Sequence, residues 1–138
     1  YVCRPIYTEH WGVVRNPKER RPRLQDYEWG APTVGDNPVE QWLVRRNKMP
    51  PPPQYRFIWN DLTALARWIS ETRGAASVLP WHAVAQAVDL GRVTYEPLSA
   101  VTDTKLFLAF QKSTLHKKLI KSLTESLEDF EALGAPSK

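Results

Sequence analysis

The sequence of 138 residues is poor in the features that mark several protein classes. It has one cysteine, Cys3, which excludes an internal disulfide framework and fits a reducing cytoplasm. Its apolar runs are all shorter than the roughly 20 residues of a membrane-spanning helix. No signal peptide is visible, and the chain opens on Tyr1 instead of methionine. We therefore expect a cytoplasmic protein with no membrane contact, present here as a fragment or a processed product.

Motifs that carry catalysis are also missing. The sequence has no G-x-S-x-G elbow, no P-loop and no G-x-G-x-x-G dinucleotide pattern. Its histidines, His10, His82 and His116, have no cysteine, histidine or carboxylate at the spacing of metal ligands. We predict a protein that is not an enzyme, with no catalytic residue, no cofactor and no metal. An α/β enzyme is the weakest alternative, because it would need a nucleophile or a metal cluster.

What is present is the composition of one ordinary globular domain, with 42% hydrophobic and 25% charged residues. The formal net charge is +4 and the isoelectric point is about 9.3. Part of this charge lies in the segment 16–23, NPKERRPR. A solvent-exposed basic loop is the favoured interpretation of that segment, and contact with phosphates is the weaker alternative.

The segment 59–93 carries the clearest structural pattern. A helical apolar face follows Asn60 or Asp61, either of which can cap a helix, and Gly74 suits the left-handed turn that ends it. The apolar run 75–79 predicts a strand covered on both faces, and a second helical face follows that strand. Helices that alternate with strands in this way indicate an α/β fold.

Strand and helix patterns extend over the rest of the chain. Further strands are predicted over residues 1–15, 29–34, 55–59, 93–98 and 105–110. The last of them is expected to be buried, and Cys3 in the first is expected to be a small buried apolar residue. A single helical turn is predicted at 24–27. Asn37 as N-cap with Pro38 after it predicts a helix that ends near Asn47, before the stiff polyproline connection 50–53.

A helix with a continuous apolar stripe closes the chain. Ser113 or Thr114 is a suitable N-cap for it. The stripe consists of Leu115, Leu119, Ile120, Leu123, Leu127 and Phe130. Lysines near the start and acidic residues near the end oppose the helix dipole, so we expect this helix to depend on packing.

The segment 72–93, TRGAASVLPWHAV…LGRV, resembles the effector-binding domain of LysR-type transcriptional regulators. In that family a second glycine usually stands where this chain has Ala75 or Ala76. Segments 6–15, 24–27 and 105–110 resemble, in the same order, the family's first crossing strand, a turn and its closing strand. The order and spacing of these segments over nearly the whole chain carry the resemblance.

The resemblance implies an α/β fold like that of type 2 periplasmic binding proteins, with a mixed sheet flanked by helices. Residues 1–14 would be the first crossing strand and residues 15–100 the second effector-binding lobe. Residues 101–138 would supply the return crossing strand and a C-terminal helix that belongs to the incomplete first lobe. Since most of that lobe would be missing, we expect another polypeptide, a crystal partner or a rearranged dimer to cover the apolar stripe.

The function that the resemblance implies is the sensing of a small-molecule effector, with DNA bound only through a winged-helix domain that this chain lacks, in a homo-oligomer. The effector would lie at strand ends and helix starts, where backbone N–H groups would favour an anion. The matching positions are Thr8, Val34, Gly35, Asp36, Asn37, Trp59, Asn60, Leu79, Pro80, Trp81 and His82. A solute-binding lobe of the transport type is the main alternative.

Overall fold

The computed structural model describes residues 1–52, 54–99, 104–111 and 117–134, with side chains of the last helix described as far as Ser126. The strands are β1 (Val2–Glu9), β2 (Trp11–Arg15), β3 (Glu28–Ala31), β4 (Phe57–Ile58), β5 (Ala75–Pro80), β6 (Thr94–Pro97) and β7 (Thr104–Phe110). The helices are α1 (Pro38–Glu40), which continues as a π-helix (Gln41–Arg46), α2 (Leu62–Glu71), α3 (Trp81–Asp89) and α4 (Lys117–Gly134). A 3-10 turn (Leu24–Asp26) precedes β3.

Five strands form a mixed sheet in the order β4-β3-β5-β2-β6. Strands β3, β4 and β5 run parallel, because helices connect them, whereas β2 is antiparallel to both β5 and β6. Strands β1 and β7 pair separately as an antiparallel ribbon. The expected α/β fold with a mixed sheet flanked by helices is therefore confirmed.

Strand β5 is buried along its whole length, as its apolar run predicted. Alternate residues point to opposite faces, so Ala76 and Val78 join the core beneath α1, and Ala75 and Leu79 join the core beneath α2 and α3. Between them Ser77 donates a hydrogen bond of 2.9 Å to the carbonyl oxygen of Gly30. Helices on both faces explain why β5 has no polar side.

The helix boundaries follow the capping chemistry of the sequence. Asn37 caps α1 by accepting from the Glu40 N–H, and the π-helix ends at Arg46 with Asn47 as its C-cap, close to the expected end near Asn47. Of the two candidates for α2, Asp61 is the cap, with 2.9 Å to the Thr63 nitrogen. Gly74 adopts the predicted left-handed conformation with φ of +71°.

The ribbon is much less buried than the sequence suggested. Cys3 is exposed, not a buried apolar residue, and β7 was wrongly predicted to be a buried strand. Leu106 is 44% exposed and Phe107 is 55% exposed, because a two-stranded ribbon has few neighbours to cover both of its faces. The candidate caps of α4, Ser113 and Thr114, lie outside the described residues.

Helix α4 packs against β1 and buries part of one side. Thr124 is buried and Ile120 is half-buried, whereas Leu119 is 59% exposed and Leu123 is 46% exposed. The rest of the stripe lies outside the described side chains. No described helix combines the length and apolar character that crossing a membrane requires.

Candidate functional site

One edge of the five-stranded sheet collects the ends of four strands and the start of a fifth. Strands β3, β4, β5 and β6 end here, and β2 begins here, since Trp11 pairs with Pro80 and Gly12 pairs with Pro97. We call this the carboxyl edge and the opposite one, where Arg15 pairs with Ala76 and Thr94, the amino edge. Carboxyl edges of α/β sheets are where ligands bind most often.

The ribbon joins the sheet at the carboxyl edge. His10 alone separates β1 from β2, and its carbonyl oxygen accepts a 2.8 Å hydrogen bond from the Trp81 N–H and a 3.3 Å hydrogen bond from the Tyr95 hydroxyl. The Trp11 indole donates to the Thr104 hydroxyl across 3.2 Å, which ties the start of β2 to the start of β7. These contacts fix the ribbon beside the helix starts.

Aromatic side chains shape the middle of this edge. Trp81 meets the ring of Tyr95 edge-on, with 5.0 Å between ring centroids. The Tyr95 ring lies directly over Gly12, where a Cβ atom would come within 2.3 Å of it. Only glycine leaves room for this packing, which orients the side chain of Trp81, the first residue of α3.

The predicted site residues between β3 and α1 divide into an exposed group and a structural residue. Val34, Gly35 and Asp36 are exposed, and Gly35 has a positive φ of +88°. Asp36 lies 3.7 Å from the Arg45 guanidinium. Asn37 is buried, and its amide donates to the Thr33 and Gly35 carbonyl oxygens and to the Tyr55 hydroxyl. Its side chain therefore serves the loop and the helix cap.

At the start of α2, Trp59 and Asn60 are both exposed. The Trp59 ring stacks on Phe57 with centroids 6.2 Å apart, and Phe57 in turn stacks on Trp68 at 5.2 Å. Trp59 is 55% exposed, so a large aromatic face at this end of the sheet is open to a ligand.

After β5 the predicted residues again differ in exposure. Leu79 and Pro80 are buried, so their side chains belong to the core and their backbone alone faces the edge. Trp81 is half-buried and His82 is exposed. The His82 Nδ1 lies 3.4 Å from the Glu9 carboxylate on β1. Thr8, half-buried on β1, lies one residue before Glu9.

The helix starts differ in their capacity for an anion. The expectation rested on unoccupied N–H groups at α1 and α2, but Asn37 caps the first, and the Asp61 carboxylate caps the second and supplies a negative charge. At α3 the capping position is Pro80, which provides no side-chain hydrogen bond. The start of α3 therefore has no side-chain cap, but its Trp81 N–H already donates to the His10 carbonyl oxygen and the Glu9 carboxylate lies 3.4 Å from His82, so an anion at any of the three starts stays a prediction.

A cleft of about 310 Å³ lies beside the carboxyl edge, and the sequence reasoning missed it. Trp11, Trp42 and Leu98 form apolar walls, and Arg45 and Thr104 supply polar groups. Trp42 and Arg45 belong to the π-helical segment, whose wider turn no sequence pattern revealed. Among the described residues, no group of three His, Cys, Asp or Glu side chains could hold a metal ion.

No protein-family model matches the sequence. No curated protein matches it either. The fold, by contrast, matches solved structures over nearly the whole chain.

The regulatory domain of MetR, a LysR-family regulator from Neisseria meningitidis, superimposes with a TM-score of 0.66 at 15% identity, over 99% of this chain and 66% of that domain. The CrgA regulatory domain, from a LysR-type regulator of the same organism, gives 0.68 at 12% identity, over 94% and 68%. Full-length LysG from Corynebacterium glutamicum, with its effector Arg bound, gives 0.64 at 16% identity, over 99% and 48%.

The chain thus spans about two thirds of the regulatory domain of MetR and about half of full-length LysG. At these identities the likeness concerns the backbone. The chain has the fold of the regulatory domains of LysR-type regulators, which is that of type 2 periplasmic binding proteins.

Proposed function

We propose that this chain is the effector-sensing part of a LysR-type transcriptional regulator and is not an enzyme. One observation supports this most directly: the ribbon β1-β7 meets the sheet at its carboxyl edge, beside the starts of α1, α2 and α3. A molecule bound there would touch both the lobe and its crossing strands. A cytoplasmic location, expected from the single cysteine, belongs to the same proposal.

The proposed division of the chain keeps residues 15–100 as the second lobe and residues 101–138 as the return strand and the helix of the first lobe. At His10 the chain passes from the ribbon, which contains β1, to the five-stranded sheet, which contains β2. This supports ending the first crossing strand at His10, slightly before residue 14. Leu119 and Leu123 are exposed in the single chain, so the cover over α4 stays a prediction, and in this proposal that cover is the rest of the first lobe.

The effector would contact the carboxyl edge through groups that are exposed. Trp59 and Trp81 offer aromatic faces, and His82 and Thr8 offer polar groups. The side chains of Asn37, Asn60, Leu79 and Pro80 have lesser parts in this proposal, because three are buried and Asn60 lies beside the acidic cap Asp61. An anionic group would sit at the start of α3, next to His82.

Regulation would follow from differential affinity. An effector that binds one arrangement of lobe and ribbon more tightly shifts the population toward it. In a homo-oligomer that binds DNA through a domain outside this chain, such a shift would change the contacts with DNA. A transport-type solute-binding lobe could share the edge, but it would not change DNA binding.

The test uses the full-length gene product and a gel shift on its own promoter, with a panel of small carboxylates and amino acids. A true effector should alter the shift and raise the melting temperature, with about 2.7 kcal/mol of stabilisation at 100-fold excess over Kd. Trp81→Ala and His82→Ala should weaken it roughly tenfold, about 1.4 kcal/mol.

The matched control is Leu90→Ala, which truncates an exposed apolar side chain near the amino edge. It should leave the effector response unchanged. Binding of a small molecule without any change in the gel shift would favour the transport-type alternative. Turnover of the ligand would overturn the proposal that the protein is not an enzyme.

A further inference from the structure

Basic side chains gather at the amino edge of the sheet, opposite the effector edge. They come from the end of β2, from the loop after it and from the residues just before β4, β5 and β6. They are Arg15, Lys18, Arg20, Arg21, Arg23, Arg56, Arg73 and Arg92. The sequence spreads them over nearly 80 positions, and the sheet brings them to one end because β2 ends where its neighbours begin.

Half of these cations are neutralised by acidic neighbours. Arg15 pairs with Glu96, Arg21 with Glu19, Arg23 with Asp26 and Arg56 with Glu28. The other half, Lys18, Arg20, Arg73 and Arg92, are exposed and form no ion pair with any described carboxylate. We call these four residues the basic cluster.

The loop that carries Lys18 and Arg20 is fastened to the fold. Asn16 is buried, donates to the carbonyl oxygens of Ile69 and Ser70 at 2.8 and 3.1 Å, and accepts from the Lys18 N–H at 2.9 Å. The Tyr27 hydroxyl accepts from the Arg21 N–H at 3.1 Å. Because the loop is held in place, little conformational entropy is lost when its cations meet a partner.

The surroundings of the basic cluster are polar. Lys18 and Arg92 line one shallow depression together, and Arg15 and Arg20 line its neighbour. Among the exposed large apolar side chains in the described part of the chain, Leu90 is the nearest in sequence to a member of the cluster, two residues before Arg92. Protein–protein interfaces have an apolar, often aromatic centre, which this surface does not offer. Several cations with few apolar neighbours fit a regular polyanion better.

We propose that the basic cluster binds the phosphate backbone of double-stranded DNA without regard to sequence. Arginine guanidinium groups suit phosphate oxygens, since they donate parallel hydrogen bonds as well as charge. The competing role of these cations is to stabilise the carboxyl ends of α2 and α3, which also lie at this edge. Glu71, which lines the same depression as Lys18 and Arg92 and pairs with Arg67, and Asp89, the last residue of α3, lower the local positive potential but leave an excess of cations.

The test measures binding of the 138-residue chain to a fluorescent duplex of about 20 base pairs by anisotropy, at several salt concentrations. With four phosphate contacts, log K should fall against log salt with a slope of about −3.6, about 150-fold in affinity between roughly 50 and 200 mM. Lys18→Gln with Arg20→Gln should bring the slope to about −1.8. Arg73→Gln with Arg92→Gln removes two cations from other segments and should lower the slope by the same amount. It tests the proposal even if the first double variant does not fold.

The matched control, Lys117→Gln with Lys118→Gln, removes the same charge from exposed residues at the start of α4. It should keep the slope of the unmodified chain. A control that lowers the slope as much as the edge variants would show a general charge effect and overturn the proposal. Absence of binding at the lowest salt would do so too, as would equally tight binding of polyglutamate, which would indicate an acidic protein. This test is independent of any effector.

Discussion

The Tyr95 ring covers Gly12 so closely that a single added methyl group would overlap its carbon atoms, with 2.3 Å from the ideal Cβ position to the nearest one. The same ring supports Trp81 at 5.0 Å, and its hydroxyl reaches the His10 carbonyl oxygen. One glycine on β2 thus positions an aromatic pair and the junction to the ribbon.

Gly12→Ala should therefore destabilise the chain and disturb the carboxyl edge. Overpacking of this kind costs about 1–3 kcal/mol, because the ring and its neighbours must shift. Chemical denaturation measures the loss, and near-ultraviolet circular dichroism should report the altered setting of Trp81. In a Tyr95→Ala background the same substitution should cost much less. Equal costs in both backgrounds would mean that ring overlap is not the cause.

Asn16→Ala should weaken the attachment of the loop that carries Lys18 and Arg20 to α2. The substitution removes three hydrogen bonds of a buried amide and leaves carbonyl oxygens at the end of α2 without this donor, at a cost of about 1–3 kcal/mol. Asn47→Ala is the matched comparison, since that exposed amide makes a single bond to the Trp42 carbonyl oxygen. Denaturant unfolding should show a clearly smaller loss for Asn47, and similar losses would refute the role given to Asn16.

Stability should decline in alkali through Tyr55. Burial raises the pKa of Tyr55 above its ordinary value, although the hydrogen bond from Asn37 favours the phenolate and opposes this. A raised pKa in the folded state means that the contribution is complete below the unfolded pKa of about 10 and is lost as pH rises through the folded value. Ultraviolet titration together with melting curves measures both effects. Tyr55→Phe should flatten this part of the stability profile, and an unchanged profile would contradict the assignment.

The exposed part of the α4 stripe offers a test of what covers it. Leu123→Gln should change the stability of this chain little, because that side chain is 46% exposed. In the full-length protein the same change should cost about 1–3 kcal/mol or shift the oligomeric state, as expected for a buried leucine. Thermal melting and light scattering measure these. Equal, small effects in both proteins would mean that Leu123 faces solvent in each.

Much of the five-stranded sheet and of its helices was predictable from local chemistry. The unbroken apolar run of β5, the capping Asn37 before Pro38 and the turn at Gly74 each depend on neighbours within a few residues. The exposure of Cys3 and β7 could not be predicted, because it depends on whether distant segments cover the ribbon. Nor could the His82–Glu9 contact, which joins residues 73 positions apart through the pairing of two sheets.

The candidate site divided along the same line. Its location at the strand ends came from the family resemblance and stays a prediction, whereas the starts of α1 and α2 were placed correctly. The N–H groups that stay open to an anion at each helix start depend on the capping contacts, which the sequence did not settle. The π-helical turn that brings Arg45 to the cleft has no recognisable sequence signal.

The carbonyl group of His10 has a mechanical consequence. It accepts hydrogen bonds from two parts of the lobe, the start of α3 and the hydroxyl of Tyr95, so the peptide plane that contains it moves with the lobe. A twist of the ribbon against the sheet would therefore turn the backbone at His10 and strain the Trp11–Thr104 hydrogen bond, which joins the same two parts. Because the Glu9 carboxylate lies 3.4 Å from the His82 Nδ1, such a twist would also change the contact between the ribbon and the start of α3.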